Sequence, residues 1–72
     1  MATYFADNTS IDNRAEIDDD VEIGPFCVIG PKVRIGRGTR LENNVTLMGN
    51  VTIGCYNHLY PNAVIGGEPQ DI

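Results

Sequence analysis

Tryptophan is absent from this 72-residue sequence, histidine occurs once and cysteine twice. Two cysteines are too few for the disulfide framework of a small secreted domain. One histidine and two separated cysteines exclude a zinc cluster by count. Basic residues are scarce: 5 Lys and Arg stand against 10 Asp and Glu, a net charge of -5. A nucleic-acid binder needs the opposite footprint. No apolar run approaches the roughly 20 residues of a membrane span, and no charged-then-apolar signal segment opens the chain. The expected compartment is the cytoplasm. The acidic run Asp18-Asp19-Asp20, flanked by Glu16 and Glu22, lacks the glycine-containing loop of a calcium site and reads as a solvated corner. A core of this size is marginal on its own, so self-association or further chain is expected.

What the sequence has is a period of six. Stepping from Phe5 gives Ile11, Ile17, Ile23, Ile29, Ile35, Leu41, Leu47, Ile53, Leu59 and Ile65, all large and apolar. Independent placement would produce such a run about once in 10,000 trials or fewer. Four residues after each comes a small or β-branched residue, with Asn57 and Pro69 the exceptions. Helices need a period near 3.6, which six does not meet. Along a strand, residues two apart share a face. In Val21-Glu22-Ile23 and Val33-Arg34-Ile35 the outer two residues therefore point inward and the middle one outward. The next three residues, such as Gly36-Arg37-Gly38, turn a corner. Each hexad is one short strand and one corner. Three hexads, about 18 residues, close one triangular turn of a β-helix. The regular hexads, 5-70, give about four such turns, stacked at the ~4.8 Å spacing of paired strands. Glu16 then lies under Arg34 and Glu22 under Arg40, an arrangement of opposite charges that favours an in-register parallel stack. The sequence predicts an all-β solenoid in a single domain, with no helix of consequence.

The run Ile23-Gly-Pro-Phe-Cys-Val-Ile-Gly-Pro-Lys-Val-Arg-Ile-Gly-Arg-Gly-Thr39 resembles the hexapeptide-repeat acyltransferases. That resemblance implies a left-handed parallel β-helix, usually trimeric. The left hand comes from the resemblance alone, since the general crossover rule favours the right. The segment Leu59-Tyr-Pro-Asn-Ala-Val-Ile-Gly-Gly-Glu-Pro-Gln-Asp71 is similar to the acyl-[acyl-carrier-protein]–UDP-N-acetylglucosamine O-acyltransferases, with Pro69-Gln70-Asp71 its most specific part. The implied reaction moves a 3-hydroxyacyl chain from acyl-carrier protein to the 3-hydroxyl of UDP-N-acetylglucosamine, the first step of lipid A synthesis. It implies no metal and no bound cofactor. It also implies that these residues are the amino-terminal part of a longer enzyme, inactive alone.

Asp71 breaks the hexad count, which calls for a large apolar residue there. A carboxylate inside the prism would be unpaired and costly, so the chain is expected to leave the coil at this point. The resemblance makes Gln70 and Asp71 substrate-holding groups of an extruded loop. His58 has the chemistry of a general base, but it precedes the Pro69-Gln70-Asp71 segment, whereas the family's catalytic histidine follows it. It is assigned to the surface above Arg40, and no catalytic residue is named. Cys27 falls at an inward small position and Cys55 on a corner, so they are expected to be unbridged.

Val28 and Val64 take the outward place on one side of the triangle, and Phe26 and Tyr60 come from the same hexads. An apolar strip on an otherwise polar prism predicts an interface, here the threefold contact of a homotrimer. Two alternatives stay open: another hexapeptide-repeat acyl- or acetyltransferase, and a non-catalytic structural solenoid.

Overall fold

The computed structural model describes residues 3–66. Eleven strands of two or three residues follow one another: β1 Tyr4–Phe5, β2 Ser10–Ile11, β3 Glu16–Ile17, β4 Glu22–Ile23, β5 Val28–Ile29, β6 Val33–Ile35, β7 Arg40–Leu41, β8 Thr46–Leu47, β9 Val51–Ile53, β10 His58–Leu59 and β11 Val64–Ile65. Each pairs with the strand three places on, never with its neighbour in sequence. The result is three sheets, ordered β1-β4-β7-β10, β2-β5-β8-β11 and β3-β6-β9. They form the first, second and third faces of a prism. Every pairing is parallel and offset by three hexads, as in Tyr4↔Glu22, Val28↔Thr46 and Glu16↔Arg34. This is the triangular solenoid read from the hexads: three complete turns and two sides of a fourth.

The alternation of the sequence becomes the inside and outside of the tube. Val21, Ile23, Cys27, Ile29, Val33, Ile35, Leu41, Val45, Leu47, Val51 and Leu59 are buried, and every one occupies an inward hexad position. Burying each of the larger side chains contributes about 1.5–3 kcal/mol. Each inward residue lies over its counterpart one turn below, so aliphatic columns run along the axis. Among the described residues, Thr39 is the one polar member of the buried set. Its hydroxyl donates to Gly54 O at 2.8 Å and accepts from the Asn57 amide at 3.3 Å. No buried polar side-chain atom among the described residues lacks a partner.

The two corners that flank the first face each use a residue with positive φ in the described turns. The corner between the first and second faces supplies Asn8, Phe26, Asn44 and Asn62, and that between the third and first supplies Asp20, Gly38 and Tyr56. Asparagine, aspartate and glycine accept this conformation readily. Phe26 (φ 61°) and Tyr56 (φ 57°) do so at a cost, of order 1–3 kcal/mol each.

The charge pairs expected from the spacing divide. Arg34 Nε lies 3.1 Å from Glu16 Oε2. Arg40 lies in register with Glu22, yet forms no ion pair among the described residues. Both cysteines are free, Cys27 buried and Cys55 exposed. Burial raises the Cys27 thiol above its ordinary pKa, with hydrogen bonding to the backbone of Val45 and Gly24 acting the other way.

Candidate functional site

Gln70 and Asp71, the residues assigned to substrate, lie outside the described residues. The backbone leading to them differs at this corner from the first two turns. Gly66 adopts φ 82°, and Gly49 adopts φ 79° at the same corner one turn below. No residue of that corner in the first two turns, 12–15 or 30–33, has positive φ. A β-carbon at Gly66 would collide with Met48 O and a methyl group of Val51, so only glycine fits where the chain follows Ile65.

His58 stands in β10 directly over Arg40, as the hexad count places it. Its Nε2 lies 2.5 Å from Glu42 Oε2. Its ring stacks on Tyr60 with centroids 4.5 Å apart and planes at 27°. One ring nitrogen and one ring face are thus engaged. A histidine held by a carboxylate has the chemistry for proton transfer, and His58 lies at the exposed outward position of β10. No group of three or more His, Cys, Asp or Glu side chains among the described residues is placed to share a metal ion.

The outward positions of the second face are Ser10, Val28, Thr46 and Val64. Val28 is 38% exposed and Val64 70%. The two share a face as expected but do not adjoin, because Thr46 lies between them. Phe26 and Tyr60 are exposed on the neighbouring edge, and Met48 is exposed on the opposite one.

The first face holds a groove that the sequence reading did not isolate. Gly24 is among its lining residues and packs against the next turn, where a β-carbon would lie 2.8 Å from Glu42 O. Tyr4, Glu22, Pro25, Phe26, Arg40, Glu42, Asn43 and Asn44 surround a space of about 430 Å³. The hexad pattern carries the signal for its missed wall: stepping back three hexads from Glu22 lands on Tyr4, which gives this polar face an aromatic end.

A family model described as the GMPPB C-terminal domain matches residues 5–70. That domain is of the left-handed β-helix, hexapeptide-repeat type and occurs in nucleotidyltransferases. No curated protein matches the chain. The matched span has the same limits as the regular hexads.

Proposed function

Because the chain belongs to the family of the GMPPB C-terminal domain, we propose that it is the left-handed β-helix of a transferase, and that this transferase is an O-acyltransferase acting on UDP-N-acetylglucosamine. The observation that carries the finer reading is the junction after β11. The hexads run in register to Ile65, Gly66 takes a glycine-only turn, and Gly67-Glu68-Pro69-Gln70-Asp71 follows, the segment that resembles the acyltransferases. In this reading the prism is a rigid frame, and Gln70 and Asp71 hold substrate beside it. A general base outside this chain takes the proton from the sugar 3-hydroxyl. The oxygen then attacks the thioester carbon, and the carrier-protein thiol leaves. No metal or bound cofactor takes part. The enzyme works in the cytoplasm as a homotrimer whose contact is the second face.

The family match favours a second reading, in which the solenoid is a non-catalytic structural domain attached to a nucleotidyltransferase. One assay separates them. The complete gene product is incubated with 3-hydroxyacyl-[acyl-carrier protein] and UDP-N-acetylglucosamine, and the acylated sugar nucleotide is measured by mass spectrometry. Turnover that falls in Gln70→Ala and Asp71→Ala, together with none from the 72-residue chain alone, supports acyl transfer. Absence of turnover in the complete product rejects it in favour of the structural domain.

A further inference from the structure

We propose that the groove over Gly24 binds a pyranose ring of a neutral saccharide. The inference does not depend on the acyltransferase reading. The groove's space, about 430 Å³, falls within the ~300–1,000 Å³ of small-ligand sites, which pair aromatic walls with a few convergent polar groups. Tyr4 and Phe26 supply the aromatic walls, 61% and 57% exposed. Arg40 and Glu22, in register on adjacent turns, make no ion pair with each other or with any other described residue, so guanidinium donors and carboxylate acceptors both remain open to a ligand. Glu42 is fixed at the rim by His58, and Asn44 stands at the corner.

A pyranose has an apolar C–H face that packs on an aromatic ring, and a rim of hydroxyls that both donate and accept. That is the set of partners this groove presents. Other ligand classes fit it less well. Glu22 and Glu42 flank the single cation Arg40, which repels a phosphate or other anion. Arg40 in turn disfavours an ammonium ligand. The charged and amide side chains of Glu22, Arg40, Glu42, Asn43 and Asn44 line much of the groove, a setting that suits an acyl chain poorly.

Phe26 gives an independent reason. In the other three turns the same corner position is asparagine, at Asn8, Asn44 and Asn62, all with positive φ. An aromatic residue is held there in a conformation that asparagine adopts with less strain, and its exposed ring forms a wall of the groove. Tyr56 carries similar strain with its ring laid across Gly38, whereas the Phe26 ring lines the groove, which gives its strain a use in binding.

The test is an amide-resolved NMR titration of the chain with methyl glucoside, methyl galactoside, methyl mannoside and their β-linked disaccharides, with inorganic pyrophosphate as the anionic comparison. The expected result is saturable shifts at Tyr4, Glu22, Gly24 and Arg40 with a Kd of order 1 mM for at least one sugar. Phe26→Asn should weaken that binding about tenfold or more while leaving the fold intact or more stable. Arg40→Met should weaken it as well. Saturation by none of the sugars, tighter binding of pyrophosphate, or undiminished affinity in Phe26→Asn would each overturn the proposal.

Discussion

The ring of Tyr56 lies across Gly38, one turn below on the corner between the third and first faces. A β-carbon at residue 38 would collide with Tyr56 Cδ1 and Cε1. Both residues have positive φ, 73° at Gly38 and 57° at Tyr56. Glycine here answers two demands, the left-handed backbone and the room for the ring above.

Gly38→Ala should therefore destabilise the chain by about 1–3 kcal/mol, from left-handed strain and from displacement of the ring. Urea unfolding measures it. In a Tyr56→Asn background the clash is gone and the cost should shrink, a non-additivity characteristic of touching residues. Equal costs in both backgrounds would show that the ring does not bear on residue 38.

Thr39→Val keeps the volume of a buried side chain and removes its hydroxyl. Gly54 O loses its donor and the Asn57 amide loses its acceptor. The expected loss is about 1–3 kcal/mol, with faster amide exchange at Asn57. A variant as stable as the parent would mean that solvent takes over both partners.

The fold was legible because inward positions recur every six residues and carry aliphatic side chains without a gap from Ile11 to Ile65. Register followed from the same count, which places Glu16 under Arg34 and His58 over Arg40. Whether side chains in register actually meet was not legible. Glu16 and Arg34 do, whereas Glu22 and Arg40 do not, although the spacing is identical. The corners were legible where Asn, Asp or Gly supplied positive φ. At Phe26 and Tyr56 the count placed the corner but not its positive φ, because local propensity argues against those residues and only the closure of the coil imposes the conformation. The groove escaped notice because its lining residues come from three different turns.

Asp12 and Arg14 form a local pair whose acid response has a definite sign. The Arg14 side chain, and next its backbone amide, hydrogen-bond to the Asp12 carboxylate and lower its pKa, while the same contact raises that of Arg14. A carboxyl lowered on folding contributes stability above its unfolded pKa of about 3.9, and that contribution is lost as pH falls through the folded value. Carbon-detected NMR titration should place the Asp12 midpoint below that of a free aspartate. Arg14→Met should raise it part of the way, since the amide of residue 14 still donates. A midpoint unmoved by the substitution would remove the side chain as its cause.

The second face bears on assembly. Introducing Val28→Glu and Val64→Glu together should convert the proposed trimer to monomer, or to insoluble protein, in sedimentation velocity. Thr46 separates the two positions, so each single substitution should weaken association less than the pair does. An unchanged trimer in the double variant would move the contact to another face.

The uniform offset of three hexads between paired strands constrains how such a chain can change length. Gaining or losing a whole turn leaves every later residue above its former column. Gaining or losing one hexad keeps the aliphatic interior intact, since inward positions recur every six residues, yet rotates all later surface by a third of a revolution. Arg40 and His58 would then sit on a different wall from Tyr4 and Glu22, and any recognition patch built across turns would be dismantled without a single buried side chain being disturbed. Surface function in this architecture is therefore far more sensitive to the reading phase of the repeat than folding is.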